Sequence, residues 1–148
     1  MKKKLQIALP IILFAAFVGY ILVTTTGLSG AQYISPETFR DWLAQNRSII
    51  IDVQPYAAYV KGHFPDSYAT FAYPVKTTEQ KEKLDALLSA INQSEKPVVL
   101  VCPGGITGAP NARMHLLSRG VPNERLFILK GGTSGWPWKN MLVSGNKR

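Results

Sequence analysis

The stretch Pro97–Gly108, PVVLVCPGGITG, changes character at Cys102. Before the cysteine lie Val98, Val99, Leu100 and Val101, an apolar, mostly β-branched run that reads as a strand buried on both faces. After it come Pro103, Gly104, Gly105, Ile106, Thr107 and Gly108, a loop rich in residues that bend the chain. Residues 109–119 then place Ala109, Ala112, Leu116 and Leu117 on one helical face, and Gly120 closes that helix. Strand, glycine loop and helix in this order make the repeating unit of a parallel sheet.

Two further apolar runs fit the same plan. Ser48–Val53, SIIIDV, reads as a buried strand with Asp52 at its end, where such sheets present functional groups. Leu126–Leu129, LFIL, reads as another core strand. Helices alternate with these strands. Ser35-Pro36-Glu37 is a helix start, with serine as cap, proline at the first position and an acid in the first turn. Phe39, Trp42 and Leu43 follow on one face. Pro55–Lys61 reads as a short helix with Tyr56 and Tyr59 on one side, and Gly62-His63-Phe64-Pro65-Asp66 as a turn. Phe71–Val75 reads as a short extended piece. Thr78 starts a helix whose apolar stripe is Leu84, Leu87, Leu88 and Ile91, ended by Lys96-Pro97. The expectation is an α/β domain with a small, mostly parallel sheet flanked by helices, over residues 33–144.

The segment ahead of it differs in kind. Met1-Lys2-Lys3-Lys4 precedes Leu5–Val23, LQIALPIILFAAFVGYILV, which carries no charge. Roughly 20 such residues span a bilayer core as a helix. Residues 1–31 thus read as a hydrophobic N-terminal helix plus linker, either a membrane anchor or a cleaved signal segment with Ser29-Gly30-Ala31 as the cleavage pattern. The run is long for a signal peptide, which favours the anchor. The three lysines hold the N-terminus in the cytoplasm and put the domain on the extracytoplasmic side, periplasmic in a bacterium and secreted if the segment is removed. Thr24–Gln32 is polar and small, a linker.

The chain has 17 Lys+Arg against 9 Asp+Glu in 148 residues, a formal +8. Three of those charges belong to the leading lysines. The others are scattered, with no basic stripe interleaved with aromatic residues, so nucleic-acid binding is not expected. An apolar fraction of 46% excludes a disordered chain. One cysteine and two histidines exclude an internal disulfide and leave too few ligands for a metal cluster. No metal and no cofactor are expected.

The single cysteine is the candidate catalytic residue. A glycine-rich curl turns backbone N–H groups inward as a nest for an anion, and the helix that follows aims its positive end at the same place. Both favour a thiolate at Cys102, and an accessible thiolate is a nucleophile. A buried cysteine acting only as a small hydrophobe is the structural alternative.

Three stretches together resemble the rhodanese (sulfurtransferase) family. Ile51-Asp52-Val53, with Tyr59 and Lys61-Gly62-His63-Phe64-Pro65, is similar to the family's strand-end aspartate and its G-H-[IF]-P turn. The Cys102 loop follows, with C-x-x-G-I-T-G similar to thiosulfate and mercaptopyruvate sulfurtransferases. Leu129-Lys130-Gly131-Gly132-Thr133-Ser134-Gly135-Trp136 is similar to the family's L-x-G-G-x-x-x-W segment. The resemblance implies a rhodanese-like fold and a Cys102 persulfide. It implies Pro103, Gly104, Gly105, Ile106, Thr107 and Gly108 as the substrate cradle, and a small sulfur donor and a thiol or other thiophilic acceptor as partners. Membrane contact would run through residues 5–23.

The chain departs from the family pattern in two places. Gln54 and Ala58 stand where the family often has Arg and Glu, so both partners of an ion pair are missing together. The cysteine loop also lacks Arg and Lys, leaving Thr107 as a weaker handle for an anionic donor such as thiosulfate. Two other readings compete: an inactive rhodanese-fold module that binds a partner or senses redox state, and phosphatase- or arsenate-type chemistry, against which the missing arginine counts. His63 and Asp52 are expected to brace the structure, His115 to lie at the surface or half-buried, and Trp136 and Trp138 to close the core.

Overall fold

The computed structural model describes residues 30–145. Five strands form one sheet: β1 (Gln32–Ile34), β2 (Ile49–Asp52), β3 (Tyr68–Ala69), β4 (Val98–Val101) and β5 (Leu126–Leu129). Their spatial order is β1-β5-β4-β2-β3, and every pairing is parallel. Helices α1 (Pro36–Ala44), α2 (Tyr56–Tyr59), α3 (Thr78–Asp85), α4 (Leu88–Asn92) and α5 (Gly108–Ser118) connect them, with single 3₁₀ turns at Asn123–Arg125 and Lys139–Met141.

Strands β4 and β2 pair over four residues, from Ile49 opposite Val98 to Asp52 opposite Val101. Both are covered on two faces, as their runs of consecutive apolar residues, Ile49–Ile51 and Val98–Val101, require. On one face Ile51, Val98, Leu100, Leu126 and Ile128 meet Leu84, Ile91, Ala112 and Leu116 from α3, α4 and α5. On the other, Ile50, Val99, Val101 and Leu129 meet Phe39 of α1, Phe64 and Trp136. The Trp136 ring stands edge-on to Phe39, Phe64 and Trp138, with centroids 5.8, 4.9 and 5.1 Å away.

The helix ends follow from local sequence. Ser35 caps α1 by accepting the Thr38 N–H, with Pro36 in the first turn. Thr77 and Gln80 form a reciprocal capping box on α3. At the far end of the chain, His63 and Val143 exchange backbone hydrogen bonds of 3.0 and 2.9 Å, and Gly145 N–H donates to the Val60 carbonyl. These bonds lace the final described residues onto the segment that follows α2.

Four expectations are corrected. Gln32 is not linker: Gln32–Ile34 is an edge strand on β5, too short to show any periodicity. The extended piece lies at Tyr68–Ala69, whereas Phe71–Val75 turns, with Phe71 and Val75 at φ of 52° and 62° and a cis Tyr73–Pro74 bond. The helix from Thr78 divides at Ala86–Leu87 into α3 and α4, so its apolar stripe belongs to two helices. The sheet has five strands, not the three that apolar runs disclose. The hydrophobic helix expected over residues 5–23 lies outside the described residues. Among the described residues no helix is long and apolar enough to cross a membrane.

Trp136→Ala is expected to cost about 3–5 kcal/mol, because it empties the aromatic centre of one core face. Urea unfolding followed by far-ultraviolet circular dichroism reads the change.

Candidate functional site

Cys102 sits one residue beyond β4, at the carboxyl end of the sheet, and its side chain is almost wholly covered (1% exposed). Its Sγ accepts the Gly105 N–H at 3.2 Å. That closes a tight curl in which Gly105 has φ of +71°, and a Cβ there would lie 2.6 Å from the Leu129 carbonyl oxygen. The curl therefore needs glycine for both its dihedral and its space.

The segment after β5 braces the curl from behind. Gly132 (φ +57°) lies so close that a Cβ would stand 2.0 Å from the Cys102 carbonyl oxygen and 2.5 Å from that of Pro103. Thr133 N–H donates to the Cys102 carbonyl at 3.2 Å and Ser134 N–H to the Pro103 carbonyl at 2.9 Å. The loop carbonyls are thus engaged on one side, which leaves an N–H, that of Gly105, for the sulfur. Helix α5 begins at Gly108, directly after the loop, and adds the positive end of its dipole.

The residues of the expected cradle differ in where they stand. Cys102 and Gly105 are in contact. Gly108 closes the loop by packing under Tyr73 and Val53. Pro103 lines a cleft of about 230 Å³ with Gln54, Lys61, Ser134 and Lys139, among others. Gly104 is at the exposed rim. The Ile106 side chain does not wrap the thiol: it is 79% exposed. Thr107 stands at the N-cap of α5, but its hydroxyl caps nothing. Cations missing from the loop itself stand beside it, as Lys61 and Lys139. The Lys139 ammonium donates to the Thr133 and Ser134 carbonyls at 2.7 and 2.9 Å.

Asp52 and His63 brace the structure, as expected. The buried Asp52 carboxylate accepts the Gln54 backbone N–H at 2.8 Å and its side-chain Nε2–H at 3.0 Å. Burial pushes this carboxyl up from 3.8 to about 6, against the opposing pull of the Gln54 bonds and His63. His63 stacks on Tyr59, centroids 3.7 Å apart. Its Nδ1 lies 3.0 Å from the Tyr59 carbonyl, which only accepts, so that nitrogen carries the proton. His115 Nε2 meets Asp85 at 2.7 Å, and Arg119 meets the same oxygen at 3.1 Å.

Sequence reasoning passed over Gln54 and Thr133. Gln54 stood out only as the absence of an arginine, and Thr133 as a variable position between glycines. Both are buried, and Thr133 Oγ1 donates to Gln54 Oε1 at 2.7 Å. A polar residue directly after a buried strand was the available signal, because such a group must find partners. Among the described residues no group of three or more His, Cys, Asp or Glu is arranged to hold a metal.

A five-stranded parallel sheet with a cysteine loop at a central strand end defines an α/β domain that holds a thiol against a backbone amide. The rhodanese-like domain profile matches residues 35–137, and the chain belongs to that family. Solved structures agree on the fold. A yeast protein tyrosine phosphatase of the rhodanese family is 22% identical, with TM-score 0.58, covering 74% of this chain and 85% of its own. The As-Sb reductase of Leishmania major is 18% identical, with TM-score 0.58, covering 72% and 77%. A thiosulfate sulfurtransferase from Pseudomonas aeruginosa is 23% identical, with TM-score 0.57, covering 80% of this chain and 20% of its own. No curated protein sequence matches.

The raised Asp52 carboxyl predicts a pH effect. The folded state holds this proton more tightly than the unfolded chain, so the contribution is complete below pH 3.8 and is lost as pH rises through about 6. Its size is about 3 kcal/mol. Asp52→Asn cannot ionise, and urea unfolding from about pH 3.5 to about pH 7 is expected to show parent stability falling relative to the variant by that amount.

Proposed function

We propose that this domain moves sulfane sulfur through Cys102. The thiolate attacks the outer sulfur of a small donor, the donor's bond to that sulfur breaks, and its remainder leaves with the electron pair. Cys102 then carries a persulfide whose charge sits on the terminal sulfur. An acceptor thiolate attacks that sulfur, a new bond forms, and Cys102 departs as thiolate, with no net oxidation. The observation that carries this reading is the Gly105 N–H directed at Sγ in a loop whose carbonyls are held on the opposite side. The same amide donor would serve a thiolate and a persulfide.

Fold neighbours that are a phosphatase and an As-Sb reductase raise oxyanion chemistry as the second reading. The loop from Cys102 to Gly108 contains no arginine to clamp a tetrahedral oxyanion bidentately, which favours sulfur transfer. A partner-binding or redox-sensing module is the further alternative. It predicts an interaction that persists in Cys102→Ala.

Mass spectrometry of the intact protein after incubation with thiosulfate, mercaptopyruvate or polysulfide is expected to show one added sulfur on Cys102. Cys102→Ser is expected to show none. Failure of all three donors would sink the reading. In this reading residues 5–23 tether the domain to a membrane with the domain on the extracytoplasmic side. Carbonate-washed membranes are expected to retain the full chain, and externally added protease to reach the domain in spheroplasts. Release into the wash would exclude an integral anchor.

A further inference from the structure

We infer that Gln54 and Thr133 are positioning residues: a hydrogen-bond relay that joins Asp52, the Gln54 side chain and Thr133, which donates to Gln54 through its hydroxyl and to the Cys102 carbonyl through its backbone N–H, sets the orientation of the loop that presents the thiol. The inference rests on Cys102 being the reacting group, and it assigns roles to two residues outside the cysteine loop.

The direction of the relay follows from donor and acceptor chemistry. The Gln54 Nε2 lies 3.0 Å from the Asp52 carboxylate and 3.2 Å from the Gly62 carbonyl. Both are acceptors, so the NH₂ end of the amide must face them. That leaves Oε1 facing Thr133 Oγ1, 2.7 Å away, and the hydroxyl must donate. The Thr133 backbone N–H in turn donates to the Cys102 carbonyl. Asp52 ends β2 and Gln54 lies two residues beyond it, Thr133 follows β5 and Cys102 follows β4, so the relay joins three strand ends through buried side chains. Gln54 is 1% exposed and Thr133 7%.

Thr133 is held at its hydroxyl, its N–H and its carbonyl, the last accepting the Lys139 ammonium and the Trp136 N–H. Loss of the hydroxyl bond removes the one restraint that ties this residue to Gln54 and loosens the peptide that carries the N–H. A guanidinium at position 54 has five donors and no acceptor, so it could not receive the Thr133 hydroxyl proton. The coupling belongs to a chain with glutamine there. Methionine at 54 keeps length and removes both hydrogen-bonding ends; valine at 133 keeps the branch and the N–H and removes only the hydroxyl.

The full chain and its Thr133→Val, Gln54→Met, double and Thr133→Ser variants are compared by the rate of Cys102 alkylation with iodoacetamide across pH, by persulfide loading and by Tm. Thr133→Val and Gln54→Met are each expected to slow alkylation about tenfold at a temperature where both are folded. The double variant is expected to be no slower than the slower single, because the Thr133–Gln54 bond is lost in either single variant and cannot be lost twice. Thr133→Ser is expected to restore the rate to within about twofold. Rates that stay at the parent value, or effects that multiply in the double variant, overturn the relay.

Thr133→Ala, which also lacks the hydroxyl, replaces the valine variant if that one fails to fold. Hydrogen exchange of the Gly105 amide reads the same loop without chemistry at the thiol and is expected to quicken in the variants and not in Thr133→Ser. Coupled alkylation without any persulfide on the parent would defeat sulfur transfer and leave the relay standing. Persulfide formation without coupling would do the reverse.

Discussion

The close approach of the Gly132 backbone to the carbonyls of Cys102 and Pro103 is the contact around which the rest of the site is organised. No side chain fits between these two pieces of main chain, so the segment after β5 can supply hydrogen bonds directly to the loop after β4. The contact also has a mechanical anchor. Four residues beyond Gly132, Trp136 is buried among Phe39, Phe64 and Trp138. Packing of one core face is thereby transmitted to the geometry around the sulfur. The cysteine loop has glycine's freedom in sequence but little freedom in the fold.

The strand ends concentrate polar groups in an otherwise apolar interior. Asp52, Gln54 and Thr133 are all buried there. The Asp52 carboxyl receives donors here from the Gln54 backbone and side chain, and the pull of His63 also favours its charged form. The Ala58 methyl needs no partner, and the lysines nearest the loop stand in a neighbouring cleft. The site consequently combines a buried carboxyl, Asp52, with cationic flanks. This differs from placing a positive charge inside the loop, where it would face the sulfur itself.

Much of this arrangement was legible in the amino-acid order because one physical signal sufficed for each part. Ile49–Asp52 and Val98–Val101 announce central strands by composition, Ser35-Pro36 announces a helix start, and the glycines after Cys102 announce a curl. What was missed lacked a local cause. β1 is a strand only because β5 offers its edge, and three residues carry no periodicity. Phe71 and Val75 adopt positive φ, which their side chains oppose, so tertiary contacts and not propensity decide that turn. The stripe Leu84, Leu87, Leu88 and Ile91 suits one helix or two, and the bend at Ala86–Leu87 leaves no mark on it. At the site, Cys102 and Gly105 could be read from their loop. Gln54 and Thr133 are 79 residues apart, and nothing local states that they touch.

The lacing of Val143 and Gly145 onto His63 and Val60 gives the chain an order of events during synthesis. Domains form from the N-terminal side as the ribosome delivers them. Cys102 emerges before Gly132, and Gly132 before the residues that tie down the far edge. A nascent chain therefore carries the Cys102 loop without its Gly132–Ser134 brace for the time needed to make the next thirty or so residues, about 2–6 s at ordinary elongation rates. During that interval any oxidant meets the sulfur on a loop whose carbonyls have no brace, and framing arrives only as the segment after β5 is delivered.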